Sequence, residues 1–335
     1  MGDANAIEAV DLRKSYGEDV QALDGLTFSV PAGTVFGLLG PNGAGKSTTV
    51  KILTTLAHPD GGSAKVAGHD ILGEPARVRK SIGVVSQAGG LDREATGREN
   101  LRLQGQVFGM GGRELERRID ELLEQFRLTD AGKRLVREYS GGMQRRLDVA
   151  QGLVHKPKVL FLDEPTTGLD PEVRAEMWDE IARLAGAGLT VLLTTHYLEE
   201  ADQLAAQLAI VDKGRVVAEG SPDALKRELR GDAIHIELGT ETAAEAAVRE
   251  ALVRVDGLDE ILYDEDRVLH ARAEDGARTV PAVLAALDGA DLEVASVTVA
   301  RPSLDDVYLR FAGRTFGAAD ANDREQPADR KGVHH

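Results

Sequence analysis

The stretch Gly40-Pro41-Asn42-Gly43-Ala44-Gly45-Lys46-Ser47-Thr48 fits the pattern G-x-x-x-x-G-K-[ST], and each residue type in it has a use against a chain of phosphates. Glycines let the backbone fold tightly enough for several N–H groups to face one anion. Lys46 adds a full positive charge near the terminal phosphates, and the start of a following helix adds its dipole. Ser47 offers a hydroxyl to Mg²⁺. The flanks supply the frame this chemistry needs. Thr34-Val35-Phe36-Gly37-Leu38-Leu39 reads as a short buried strand, and Thr48 to Leu56 as the first turns of a helix. A glycine-rich turn with a surface lysine would lack that frame. These residues imply a bound nucleoside triphosphate.

Two further groups could complete such a site. Asp163 and Glu164 close the run Val159-Leu160-Phe161-Leu162, so they stand at the carboxyl edge of a strand buried on both faces, where α/β proteins bind ligands. Asp163 would hold the Mg²⁺ shell, directly or through water, and Glu164 would orient or deprotonate the attacking water. Tyr139-Ser140-Gly141-Gly142-Met143 precedes the helical run QRRLDVAQGLVH. Ser140 is a natural N-cap and the two glycines expose amide groups, which makes this helix start a second anion site. Alone it would be an ordinary capped helix; upstream of a strand ending in Asp-Glu it gains weight.

The surrounding pattern shows what must position these groups. Residues 6–36 alternate in strand fashion up to the turn Pro31-Ala32-Gly33, and from about 88 to 157 the pattern is helical, clearest in ELERRIDELLEQFRL at 114–128. Thr190-Val191-Leu192-Leu193 is another doubly buried strand. Leu208 to Val211, Asp212-Lys213-Gly214 and Arg215 to Glu219 read as a hairpin, with Gly220-Ser221-Pro222 marking the end of the unit. The pattern then restarts. Strand 233–238, helix 242–255, strands 260–264 and 267–273, helix 279–288 and strand 292–300 follow in the order βαββαβ, which predicts a ferredoxin-like, α+β fold. Residues 317–335 are polar and low in hydrophobics, the composition of a disordered tail.

With those motifs in order, the chain resembles the nucleotide-binding subunit of an ABC transporter over about residues 6–230. YSGGM at 139–143 corresponds to the family signature, usually LSGGQ, with Tyr139 for Leu and Met143 for Gln. Gln87 after Ile82-Gly83-Val84-Val85-Ser86 matches the Q-loop, Thr167-Gly168-Leu169-Asp170 the D-loop, and His196 in LLTTHYLEEAD the H-loop. Tyr16 matches the aromatic that stacks on adenine. The resemblance implies that Gln87 contacts Mg²⁺, His196 the γ-phosphate, and Asp170 the subunit interface. Gln87 or His196 taken singly would read as a surface loop residue; the ordered series reverses that. The implied fold is a P-loop NTPase of ABC type, α/β, with a mixed sheet core, an antiparallel β subdomain and a helical subdomain at about 88–157. Domains are expected at 1–230 and 231–313, with a tail from 314.

The same resemblance implies ATP and Mg²⁺ as cofactors and a two-fold dimer in which one subunit's signature closes the other's P-loop. It also implies a separate transmembrane permease subunit. EYSGGMQRRLDVA together with the segment from Arg301 to Gly313 resembles the daunorubicin-resistance type, which implies efflux of a drug or other lipophilic compound. No apolar run of 18 residues exists and the start MGDANAIEAVD carries acids, so neither a membrane span nor a secretory signal is expected. With the permease partner it implies, the resemblance then points to a peripheral place on the cytoplasmic face of the membrane.

Composition weighs against rival classes. The formal charge of −16 opposes a phosphate-backbone surface, so no nucleic-acid partner is expected. A ribosomal ABC protein would carry two ATPase units and a basic linker. A DNA-repair ATPase would insert a long coiled coil for which the interval 49–139 is too short, and no N-K-x-D motif points to guanine. Zero cysteines leave no disulfide or thiolate metal site. Residues 232–312 hold 18 acidic against 7 basic residues, a net of −11, which marks a separate C-terminal module. Trp178 and the methionines read as packing residues. His235 and His270 lie on predicted strands without metal-ligand spacing and read as structural histidines.

Overall fold

The computed structural model describes residues 5–17, 20–239, 245–263, 268–317 and 319. The expectation of a disordered tail falls mostly outside the described residues, as does the connection at 265–266 between the predicted strands 260–264 and 267–273. The chain divides into two compact units at Ser221/Pro222.

In the first unit, a 6-stranded sheet runs in the order Arg215–Gly220, Gln207–Asp212, Val35–Leu39, Thr190–Thr195, Val159–Asp163, Ile82–Val85. Its inner strands pair in parallel, and Arg215–Gly220 returns antiparallel on the edge. That hairpin turns at Lys213 and Gly214, φ 46° and 75°, the positive pair a two-residue turn requires. Along Val159–Asp163, Val159 and Phe161 pack into one core cluster while Leu160 and Leu162 pack into the other. That two-sided burial explains the unbroken apolar run.

A 4-stranded antiparallel sheet, ordered Val20–Pro31, Asn5–Tyr16, Gly61–Val66, His69–Asp70, covers the first of these clusters. Helices Gly97–Val107, Gly112–Gln125 and Gly141–Gly152 form the helical part. The amphipathic run predicted at 114–128 lies largely in the second of them and buries Leu115, Ile119, Leu122 and Leu123, one face at helical spacing.

The helix after the glycine-rich loop is shorter than its predicted span to Leu56. It starts at Lys46 and ends at Leu53. The Thr54 hydroxyl turns back to donate to Val50 O (2.7 Å), and Thr55 takes φ 63°, which ends the helix.

The second unit has the expected order: strand Asp232–Leu238, helix Glu245–Leu252, strands Leu258–Tyr263 and Val268–Ala273, helix Gly276–Asp288 and strand Val294–Ala300. All pairs are antiparallel, with the second-named strand outermost beside the third and the fourth on the far side of the first. This is the ferredoxin-like arrangement. The predicted helix at 279–288 begins earlier, because Asp275 accepts the Arg278 N–H (3.1 Å) and caps it. A further helix, Leu304–Ala312, follows the last strand, opened by the Ser303–Asp306 capping box and closed by Gly313 at φ 72°. Among the described residues, no helix is long and apolar enough to cross a membrane.

Candidate active site

Gly40-to-Thr48 joins strand Val35–Leu39 to helix Lys46–Leu53, and two of its glycines are sterically required. A Cβ on Gly40 would stand 2.4 Å from Val211 O; one on Gly45, already at φ 107°, would meet Ala22 O at 2.5 Å. The loop is therefore clamped between strand ends, with its backbone free of side chains on its tightest bends. Asn42, Gly43, Ala44 and Thr48 complete the loop and the first helical turn.

Lys46 is 5% exposed. Its ammonium donates to Gly40 O (2.6 Å) and Pro41 O (2.8 Å) and lies 4.0 Å from Glu164 Oε1. The lysine thus bridges its own loop and the acidic strand end.

The acidic pair occupies two different environments. Asp163 Oδ1 accepts from Thr194 Oγ1 (2.5 Å) and lies 3.4 Å from Ser47 Oγ. A carboxylate and a hydroxyl converging there form a hard oxygen set that fits Mg²⁺. Glu164, 9% exposed, is surrounded by Gln87 Nε2 at 3.0 Å, His196 Nδ1 at 3.2 Å and Thr167 Oγ1 at 3.3 Å. The nearby His196 ring holds the Glu164 carboxyl below the usual carboxylate range, burial opposes this, and Lys46 and Thr167 add to it. Glu164 also sits at φ 48°, a strained backbone for a residue with a Cβ. Its N–H is fixed by Thr194 O and Oγ1, both at 3.1 Å.

Lys46, Ser47, Gln87, Asp163, Glu164 and His196 are thus gathered into one cluster. Ser140, Gly141 and Asp170 are exposed and stand outside it, while Gly142 is buried. Ser140 Oγ accepts the Met143 N–H (3.3 Å) and Asp170 Oδ1 the Val173 N–H (2.9 Å), each capping its own helix. Tyr16, 44% exposed at a strand end, lies with the Lys14 ammonium 5.6 Å from its ring centroid.

Arg145 escaped the sequence reading. It is 9% exposed and donates to Pro165 O (2.7 Å), Ser86 O (2.9 Å), Asp163 O (3.2 Å) and Glu164 O (3.2 Å). One guanidinium therefore ties the backbone before Gln87 to the backbone of the acidic pair. Burial lowers its pKa, and the carboxylates of Asp148, Asp163 and Glu200 counter this. Its signal was present: Gly142, Arg145 and Val149 share the buried face of helix Gly141–Gly152, where a charge must find partners. Arg145→Ala is expected to lower stability by about 3 kcal/mol, measured by urea unfolding, and Arg145→Lys to recover less than half, because an ammonium cannot span those carbonyls. Trp178, read as packing, also donates its indole N–H to the buried Glu200 (3.1 Å), which Thr166 Oγ1 reaches at 2.7 Å.

The Glu164 environment also sets a pH dependence. A lowered native pKa gives stability that is complete above the ordinary value of 4.5 and fades as pH falls through the lowered one. His196→Ala removes the main lowering interaction. The part of the stability gap between wild type and His196→Ala that Glu164 carries is therefore expected to shrink as pH falls below 4.5; urea midpoints from about pH 5 down to about pH 3 check it.

Comparison with known proteins places this geometry. Residues 23–167 match the family model for the ABC transporter, and residues 220–312 that for the ATP-binding protein DrrA1-3-like, C-terminal domain. The chain is 50% identical to the daunorubicin resistance ATP-binding protein DrrA3 of Streptomyces coeruleorubidus, covering 92% of this chain and 96% of that one. It is 45% identical to the daunorubicin/doxorubicin resistance ATP-binding protein DrrA of Streptomyces peucetius, covering 98% of each. A solved structure titled as the ATP-binding subunit of an ABC transporter superposes with TM-score 0.60 at 31% identity, over 67% of this chain and 92% of that one. The chain belongs to the ATP-binding subunits of ABC transporters, in the daunorubicin-resistance branch.

Proposed function

We propose that two copies of this chain close head to tail over two ATP molecules and drive efflux of a drug, antibiotic or other lipophilic compound through a separate membrane subunit. The observation that carries the proposal is an asymmetry in the site. The hydrolytic cluster around Glu164 is assembled within one chain, whereas Ser140, Gly141 and Asp170 face solvent. An anion site on the surface, at a capped helix start, suits a phosphate held by another copy.

In this reading Lys46 exchanges the carbonyls of Gly40 and Pro41 for the β- and γ-phosphates, at little cost because both partners accept from the same ammonium. The main-chain N–H groups of residues 40–48 cradle the same phosphates, and Tyr16 stacks on the adenine. Ser47, Asp163 and Gln87 would hold Mg²⁺, which would supply neutralisation of the phosphate charge. Glu164 accepts a hydrogen bond from the attacking water and aims it, while His196 donates toward the γ-phosphate. A carboxylate whose neighbours lower its pKa is a poor proton acceptor, so its first role is positioning. Phosphate charge brought beside it raises that pKa and prepares it as a base.

The membrane partner places the ATPase at the cytoplasmic face of the membrane as a peripheral subunit. We also read residues 1–230 and 231–313 as separate domains. The second, at net −11 over residues 232–312, is repelled by anionic headgroups and turned away from them. Coexpression with a membrane protein encoded beside it tests the assignment: the chain is expected in the membrane fraction only when that neighbour is present. Recovery in the soluble fraction in both cases counts against transport.

A further inference from the structure

The ferredoxin-like unit contains a group of side chains that the ATPase reaction does not use. Strand Asp232–Leu238 places Ile234, Ile236 and Leu238 in the core of the unit. The intervening residues, His235 among them, therefore lie on the opposite face. Strand Val268–Ala273 does the same, with Leu269, Ala271 and Ala273 in the core and His270 on the opposite face. The two strands pair with His235 directly across from His270, and the imidazole rings lie 4.9 Å apart between centroids. Helix Leu304–Ala312 then brings Asp306 onto the same face, its Oδ1 2.9 Å from His235 Nε2.

We propose that His235, His270 and Asp306 form a site for a divalent transition-metal ion of the Zn²⁺ class. One ligand atom from each residue lies within 4.8 Å of the other two. A tetrahedral zinc ion with bonds near 2.0–2.1 Å holds its ligand atoms about 3.3 Å apart, a contraction that small side-chain rotations supply. Two imidazole nitrogens and one carboxylate oxygen are the donor set of open zinc sites, with water as the fourth ligand.

The surroundings fit a ligand set rather than a chance meeting of polar groups. Asp306 is held from behind: its Oδ2 accepts from Ser303 N (2.8 Å) and Ser303 Oγ (2.6 Å), which leaves Oδ1 toward the histidines. Such outer hydrogen bonds fix the orientation of a ligating carboxylate. The neighbouring Asp305 is likewise held in place, accepting the Phe316 N–H (3.0 Å). Residues 232–312 carry a net charge of −11, which concentrates cations around them. Metal entry replaces the hydrogen bond between His235 Nε2 and Asp306 Oδ1 with two coordinate bonds. The ion would clip helix Leu304–Ala312 to two sheet strands that are 35 residues apart in the chain.

The test uses the full chain, freed of metal by a chelator, in titrations with Zn²⁺ followed by calorimetry and with Co²⁺ followed by visible absorption. The expected result is a site that gives the intense visible bands of four-coordinate Co²⁺ and a Zn²⁺-dependent rise in unfolding temperature. His235→Gln, His270→Gln and Asp306→Asn are each expected to weaken that binding about tenfold or more and to abolish the Co²⁺ bands. Basal ATPase and far-UV circular dichroism should stay as in wild type. His235 is 32% exposed, so its glutamine variant keeps the test valid if His270→Gln disturbs the sheet. A wild-type chain that shows no Co²⁺ bands overturns the proposal, as does a His235→Gln chain whose bands and Zn²⁺ affinity are unchanged. In either case the group is an ion pair of His235 with Asp306 beside a structural histidine.

Discussion

Replacing Glu164 with glutamine is expected to cut ATP turnover by about 10²–10⁴-fold while leaving ATP binding intact. Glutamine has the same length and can still accept from Gln87, whose Nε2 lies 3.0 Å from the native carboxylate. What disappears is the negative charge that Lys46, at 4.0 Å, and His196, at 3.2 Å, now share. The Lys46 ammonium and the His196 ring are then released to the γ-phosphate, so the ATP-bound state gains stability as hydrolysis stops. Light scattering of the variant with ATP should report a long-lived dimer, and without ATP a monomer. Wild-type turnover would remove Glu164 from the mechanism; monomers at every ATP concentration would remove the shared-site dimer.

Lys46→Ala is expected to reduce turnover by about 10²–10³-fold and to weaken ATP binding as well, since the charge acts on both bound substrate and transition state. Little destabilisation should accompany it. In the free protein the ammonium donates to the carbonyls of Gly40 and Pro41 and lies 4.0 Å from Glu164, and water can replace it at the loop. Lys46→Arg is expected not to rescue, because a side chain only 5% exposed leaves no room for a planar guanidinium. Calorimetric titration with a non-hydrolysable ATP analogue, alongside steady-state kinetics, separates the binding loss from the rate loss. Unchanged kinetics in Lys46→Ala would remove that residue from catalysis.

Legibility from sequence followed distance along the chain. The phosphate loop and the strand ending in Asp163-Glu164 could be read directly, because each is contiguous and each residue's task follows from its type. The βαββαβ order of the second unit was equally legible from periodicity, and the sheet pairs as that order requires. Gln87 and His196 were reachable only through resemblance, since they lie 77 and 32 residues from Glu164 and neither carries a local pattern. Arg145 was missed because its task is to gather main-chain carbonyls, which have no letter in a sequence. Thr194, which holds both the Asp163 side chain and the Glu164 N–H, was read only as part of a buried strand.

The boundaries that differed have local causes. Thr54 bonding back to Val50 ended one helix early, and Asp275 capping began another sooner. Side-chain hydrogen bonds of this kind compete with helix continuation and are invisible to hydrophobic period.

Local order in the residues was enough to establish that this chain binds a nucleoside triphosphate, builds a doubly buried parallel sheet and appends a second α+β unit. Those are properties of backbone freedom, charge and apolar spacing within short segments. Which groups surround Glu164, and which carboxylate meets His235 and His270, depended on the packing of strands and helices remote in sequence. Electrostatic and hydrogen-bond energies fall off over a few ångströms in space, while the chain records only order, so such convergence emerges with the fold.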